Sequence, residues 1–202
     1  TESIFDYDQA VPPEGRFVAI AGDRLHTCGI REDGTAECRA NDNDQEPPPA
    51  GRFVSIGESE YHTCGIKEDS SVVCWGDRWS YLGYGRDTPP EGRFIAVSAG
   101  WKHTCGIKDD GTAACWGVGS DPNEHEEYSD RDQAVPPEGR FIAVSAGGYH
   151  TCGIREDSTA TCWGLGLDVN EYEGANDFDQ ADAPNGRFVD ISAGSLHTCG
   201  IK

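Results

Sequence analysis

Cysteine and histidine are the side chains of this chain best suited to chemistry, and most of them recur at fixed spacing. The string His-Thr-Cys-Gly-Ile occurs five times, at residues 26–30, 62–66, 103–107, 150–154 and 197–201. In the first four copies a second cysteine follows ten residues after the first. The resulting pairs are Cys28/Cys38, Cys64/Cys74, Cys105/Cys115 and Cys152/Cys162, with Cys199 left over.

Regular pairing of this kind predicts a disulfide framework, and therefore a secreted or extracellular protein made in an oxidising compartment. A zinc site is the weaker interpretation, because zinc-binding cysteines usually stand much closer together in sequence. The odd Cys199 predicts either an intermolecular link or a partner outside this sequence.

The histidines allow two interpretations. A ring of imidazoles could hold a metal or transfer protons, whereas a structural histidine would bond the backbone within each copy. Identical occurrence in five copies favours the structural role, since an active site is rarely repeated five times. The sequence also has no Gly-x-Ser-x-Gly elbow, no phosphate loop and no dinucleotide fingerprint before a helix. We therefore expect a protein that is not an enzyme.

Acidic segments of the third and fourth copies carry oxygen side chains at alternating positions, which is a pattern that calcium prefers. The candidate ligands are Asp121, Asn123, Glu126, Asp168, Asn170 and Glu173. The glycine and the final glutamate of an EF-hand loop are misplaced, so a solvated acidic loop is the simpler interpretation. Calcium is the one cofactor that the sequence suggests.

The composition excludes some classes of partner. The chain has 202 residues with 36 Asp and Glu against 16 Lys and Arg, a formal net charge of -20. Nucleic acid is not expected as a ligand, because phosphate binding needs a basic surface. No hydrophobic run approaches the roughly 20 residues that span a membrane.

Each copy is predicted to form three short strands separated by turns rich in glycine and proline. The copies cover about 11–46, 47–88, 89–134, 135–181 and, incompletely, 182–202, within one repeat array. A three-residue hairpin loop, 32–34, would place Cys28 opposite Cys38, with Gly34 in the left-handed conformation that this loop class needs.

In the second strand of each copy, one face carries the bulky His, Cys and Ile side chains and the other carries the small Thr and Gly. We expect glycines such as Gly29 to admit the next sheet and a tryptophan such as Trp75 to fill that space. Radially stacked small sheets form a β-propeller, so the fold class is all-β, a propeller or propeller-like array with one disulfide per blade.

The motif Phe-Ile-Ala-Val-Ser-Ala-Gly-x-x-His-Thr-Cys-Gly-Ile-x-x-Asp-Gly-Thr-x-x-Cys-Trp-Gly resembles the repeat of the regulator of chromosome condensation family, and most of all its cysteine-containing secreted branch. The resemblance implies a propeller of antiparallel blades, often seven. That family includes nucleotide-exchange factors and inhibitors of secreted β-lactamases, so fold alone does not settle function. The chain departs from the pattern at Arg39, where other copies have Trp, and in an Asp-Gln turn in place of Gly-Gln.

The turns before each repeated histidine vary in sequence and would emerge together on one face of a propeller. Aromatic residues are typical anchors of interfaces, so this face is the predicted partner-binding surface. Its members, with one residue from the insert of the second copy, are Arg24, Leu25, Glu60, Tyr61, Trp79, Trp101, Lys102, Tyr149 and Leu196. The sequence therefore predicts a non-catalytic extracellular scaffold that binds a protein or glycan. The alternative is a structural subunit that self-assembles into a filament or matrix.

Overall fold

The computed structural model describes residues 14–22, 26–40, 47–59, 61–76, 85–118, 132–164, 181–183 and 185–202. Their regular structure consists of fourteen strands in five antiparallel sheets. The strands are β1 (Phe17–Gly22), β2 (His26–Arg31), β3 (Ala36–Ala40), β4 (Phe53–Glu58), β5 (Thr63–Lys67), β6 (Val72–Trp75), β7 (Phe94–Ala99), β8 (His103–Lys108), β9 (Ala113–Gly117), β10 (Phe141–Ala146), β11 (His150–Arg155), β12 (Ala160–Gly164), β13 (Asp190–Ala193) and β14 (Thr198–Ile201). In this part of the chain no helix is long and apolar enough to cross a membrane.

Each sheet is one blade. Four blades have three strands in sequence order, from β1–β2–β3 to β10–β11–β12, and the fifth has β13 and β14. The first strand of each three-stranded blade carries a bulge, because the residue after its phenylalanine has no opposite residue. In the third blade Phe94 lies opposite Lys108 and Ala96 opposite Ile107, so Ile95 is the extra residue. These four bulge residues have large exposed fractions; they are Val18, Val54, Ile95 and Ile142.

The predicted hairpin register is confirmed. Cys28 lies directly opposite Cys38, and the N–H of Arg31 donates to the carbonyl of Thr35, which leaves a three-residue loop. Gly34 has a φ of 85°, the left-handed conformation that the loop requires. Ser70 adopts the same conformation in the second blade with a φ of 69°, and its hydroxyl accepts a hydrogen bond from Arg93 of the next blade at 3.2 Å.

One disulfide joins the second and third strands of each of the first four blades, as predicted. The S–S distances are 1.98 Å for Cys28–Cys38, 2.07 Å for Cys64–Cys74, 2.04 Å for Cys105–Cys115 and 1.98 Å for Cys152–Cys162. Cys199 of β14 is a free, exposed thiol in the position that holds the first cysteine of a pair in the other blades.

The hydrophobic core lies between consecutive blades. Between the second and third blades, Cys64 and Ile66 of β5 pack against Phe94, Val97 and Trp116 of the following blade. The contact between the third and fourth blades repeats this arrangement, with Cys105 and Ile107 against Phe141 and Trp163. At these two boundaries the preceding blade presents a cysteine and isoleucine face, and the following blade presents a phenylalanine and tryptophan face.

Our expectation for the repeated glycines was wrong in one respect. A Cβ on Gly106 would lie 2.7 Å from Cδ1 of Phe94, which belongs to the same blade. The glycine thus leaves room for a ring of its own sheet, and that ring packs edge-on against Trp116 with centroids 6.0 Å apart. The ring pair, and not the backbone of the next sheet, fills the space above the small face.

A backbone hydrogen bond joins each pair of consecutive blades at the hairpin. The N–H of Phe94 donates to the carbonyl of Ser70 at 2.8 Å, and the N–H of Phe141 donates to the carbonyl of Gly111 at 2.8 Å. The left-handed residue of one hairpin is therefore the acceptor for the first strand of the next blade.

Candidate partner-binding surface

The turns between the first and second strands of successive blades lie against one another. The N–H of Trp101 donates to the carbonyl of Gly147 at 3.2 Å, and the N–H of Gly148 donates to the carbonyl of Ser195 at 3.2 Å. A Cβ on Gly100 would lie 2.5 Å from the carbonyl oxygen of Gly147. This approach is closer than real Cβ atoms make, so the turns of neighbouring blades form one continuous surface.

Three aromatic side chains from consecutive blades meet on this surface. The ring centroids of Tyr61 and Trp101 are 6.4 Å apart, and those of Trp101 and Tyr149 are 5.5 Å apart with an interplanar angle of 80°. All three residues are half-buried. We call Tyr61, Trp101 and Tyr149 the aromatic row. Its spacings are those of favourable edge-to-face and tilted ring pairs.

The predicted surface residues divide into two groups. The structure brings Tyr61, Trp101 and Tyr149 together, with half-buried Lys102 beside Trp101 and Leu196 in the equivalent turn of the fifth blade at 38% exposure. Outside the described residues lie Arg24, Leu25, Glu60 and Trp79. The role of this surface in binding stays a prediction.

Behind the turns, the repeated histidines bond to the next blade. Nε2 of His62 lies 2.6 Å from the hydroxyl of Thr104, Nε2 of His103 lies 2.7 Å from that of Thr151, and His150 makes the same contact with Thr198 at 2.7 Å. These bonds agree with the predicted structural role, although the partner is a side chain of the neighbouring blade and not the backbone of the same blade.

The environment of His103 and His150 keeps these two histidines neutral. Burial lowers the pKa of His103 from its usual 6.5 to about 3, with a further contribution from His150. Burial also lowers the pKa of His150 to about 4, with a further contribution from His197. Among the described residues, no group of three or more His, Cys, Asp or Glu side chains is arranged to hold a metal ion.

The predicted calcium ligands Asp121, Asn123, Glu126, Asp168, Asn170 and Glu173 all lie outside the described residues. The calcium hypothesis therefore stays a prediction from sequence. Titration with millimolar calcium, followed by thermal melting, tests it through the stabilisation that any ligand of the folded state confers.

Sequence reasoning missed one residue of this region. Arg86 is only 1% exposed, and its guanidinium carbon lies 5.0 Å from the ring centroid of Tyr61. Its signal was in the sequence, because Arg86 stands where the other repeats have the glutamine of the Asp-Gln turn, such as Gln133.

Small antiparallel blades, each carrying its own disulfide and stacked through ring pairs, define a disulfide-bonded protein of the β-propeller class. Residues 94–121 and 141–168 match the family "Regulator of chromosome condensation (RCC1) repeat". These two segments carry the repeat of that family, and the four disulfides of the described residues fit its cysteine-containing branch. No curated protein matches the sequence.

Solved structures of similar fold include two plant receptor ectodomains. The ectodomain of the receptor kinase CR4 from Physcomitrella patens is 26% identical with a TM-score of 0.69, and the match covers 92% of this chain and 47% of that one. The CRINKLY WD40 ectodomain of ACR4 from Arabidopsis thaliana is 25% identical with a TM-score of 0.64, covering 92% and 60%. Prp20p from Saccharomyces cerevisiae shares the fold, with 17% identity and a TM-score of 0.67. That match covers 95% of this chain and 57% of Prp20p. The chain thus spans about half to three fifths of the length of these structures.

Proposed function

We propose that this chain is part of a non-catalytic extracellular scaffold that binds a protein partner through the aromatic row and the neighbouring turns. The single observation that carries the proposal is the meeting of Tyr61, Trp101 and Tyr149, from three blades, on a surface that leaves them half-exposed. Aromatic side chains that are partly open and held rigidly are typical hot spots of protein interfaces.

Two further observations support an extracellular location. Four of the five described blades carry a disulfide, and such bonds persist in oxidising compartments. Two of the similar structures are ectodomains of receptor kinases. That similarity concerns the architecture, and the partners of those receptors are not carried over to this chain.

The aromatic row is separate from the packing that holds the blades together. The interblade core consists of pairs such as Phe94 and Trp116 against Cys64 and Ile66. Truncating Trp101 removes ring contacts worth about 0.5–1.5 kcal/mol each, which an array with this core should tolerate. Binding and stability can therefore be measured apart.

The test is a screen of the folded protein against a library of extracellular protein ectodomains and, in parallel, against a glycan array. We expect protein ligands whose affinity falls at least about tenfold in Trp101→Ala and in Tyr149→Ala, as hot-spot truncations do. Ile142→Ala is the matched control, because Ile142 is 54% exposed but belongs to the bulge of β10. Equal loss in the control variant, or ligands found only among the glycans, would overturn the proposal.

A further inference from the structure

Arg86 replaces a glutamine that the other repeats share. It precedes Phe94 by the same number of residues as Gln133 precedes Phe141, and the sequence repeats that spacing with Gln9, Gln45 and Gln180. Both Arg86 and Gln133 are buried, at 1% and 0% exposure. The third blade therefore holds a cation at a buried position where the fourth blade holds a neutral amide.

The backbone carbonyl at this position accepts the same threonine hydrogen bond in both blades. The carbonyl of Arg86 accepts a hydrogen bond from the hydroxyl of Thr104 at 3.1 Å, and the carbonyl of Gln133 accepts one from the hydroxyl of Thr151 at 3.0 Å. Nε1 of Trp116 also donates to the carbonyl of Arg86 at 2.8 Å. These backbone contacts do not depend on the side chain, so the arginine has a different purpose.

The side chain of Arg86 reaches two members of the aromatic row. Its guanidinium carbon lies 5.0 Å from the ring centroid of Tyr61, within the range of a cation–π contact. Its Nη1 donates to the carbonyl of Trp101 at 3.3 Å. The planar guanidinium therefore connects a ring of the second blade to the turn of the third.

Burying a guanidinium costs free energy unless its contacts offset the loss of water. A glutamine is too short to stack on Tyr61 and reach the carbonyl of Trp101 together, and a lysine lacks the planar group with donors on both sides. The residue present at this position is the one that can make both contacts.

We infer that Arg86 is a positioning residue that fixes Tyr61 and Trp101 in the aromatic row. The inference rests on the proposed function for its biological meaning, because a fixed row would bind its partner with less loss of side-chain freedom. It explains why one repeat departs from glutamine beside the place where two of the three rings meet.

The experiment uses the disulfide-bonded protein labelled with 5-fluorotryptophan. Its ¹⁹F spectrum has a resonance for each tryptophan, and Trp101→Phe identifies the resonance of Trp101. In Arg86→Gln and in Arg86→Lys we expect the Trp101 resonance to shift or broaden, while that of Trp163 in the next blade stays in place.

The matched control is Arg93→Gln, which removes an exposed arginine of the same blade that pairs with Asp109. It should leave the Trp101 resonance unchanged. A Trp101 resonance that stays fixed in Arg86→Gln, or returns to its wild-type position in Arg86→Lys, would overturn the positioning role. If Arg86→Gln does not fold, Arg86→Lys gives the same decision. The spectrum requires no partner, so failure here is distinct from failure of the turns to bind one.

Discussion

Nε2 of His103 lies 2.7 Å from the hydroxyl of Thr151, across the boundary between the third and fourth blades. That hydroxyl donates its own hydrogen to the carbonyl of Gln133 at 3.0 Å, so its oxygen accepts from Nε2–H. The network fixes the neutral tautomer of His103, with the proton on Nε2 and a bare Nδ1. Among the described residues this Nδ1 is buried without a hydrogen-bond partner.

Replacing Thr151 with valine should destabilise the array. The substitution keeps the shape of the side chain but leaves Nε2–H of His103 buried and unpaired, which costs about 1–3 kcal/mol. Chemical denaturation of the disulfide-bonded protein measures this loss. The double variant His103→Leu/Thr151→Val should recover part of the lost unfolding free energy, since both polar partners are then gone. If the losses of the two single variants simply add in the double variant, the contact is contradicted.

Stability should fall as the pH is lowered from about 6.5 towards 4. His103 and His150 stay neutral when folded, with pKa values of about 3 and about 4, whereas in the unfolded chain they take up protons near their usual 6.5. Protons then favour the unfolded state, and each histidine contributes a slope of up to about 1.4 kcal/mol per pH unit. The slope ends as the pH passes below the folded pKa values.

The hairpin aspartates act in the same direction at lower pH. Hydrogen bonds from the hydroxyl and then the N–H of Thr35 hold the pKa of Asp33 below its ordinary value. Such a carboxylate stabilises the fold above its unfolded pKa and ceases to do so as the pH falls through its folded pKa. Thermal melting against pH identifies the histidine contribution, because His103→Gln should flatten the curve only between about 3 and 6.5, the folded and unfolded pKa values of that histidine.

Gly106→Ala should disrupt the third blade. The added methyl would lie 2.7 Å from Cδ1 of Phe94 and 3.1 Å from the carbonyl oxygen of Ala96, so a buried ring or the backbone must move. We expect a loss of about 1–3 kcal/mol, as overpacked cores show. A second change, Phe94→Leu, makes room for the methyl. If the double variant loses as much unfolding free energy as the two single variants added together, the ring contact is not the cause of the loss.

Removing one disulfide should cost stability without abolishing the fold. In Cys105→Ala/Cys115→Ala the lost bridge closes a short loop, and the chain-entropy account gives about 2–3 kcal/mol. Denaturant melts followed by near-ultraviolet circular dichroism measure the change. Cys199→Ala is the control, because this thiol is free and exposed and its loss should leave the transition in place.

The repeat made most of the fold predictable. The register of Cys28 with Cys38 and the left-handed residue at Gly34 followed from symmetry about the hairpin, and both are confirmed. The location of the aromatic row also followed, since Tyr61, Trp101 and Tyr149 precede the repeated histidines. Local spacing is sufficient for such features because each depends on residues close in sequence.

Features that depend on two blades were harder to predict. The bond from His103 to Thr151 joins residues of separate copies, and no spacing within one copy reveals it. To predict that the ring of Phe94 covers Gly106, one must know which face of the strand the bulge turns inward. Arg86 was visible only as a missing glutamine, and its contact with Tyr61 emerged from the three-dimensional arrangement.

The contact of the cysteine and isoleucine face of one blade with the ring-pair face of the next has a thermodynamic consequence. The main contacts between sheets join consecutive blades, so the array behaves as a one-dimensional lattice with nearest-neighbour coupling. A lesion in the third blade, such as loss of the ring of Phe94, should weaken its boundary with the second blade first. Fraying would then spread from that point, and hydrogen exchange would report a gradient of protection along the chain instead of one uniform value.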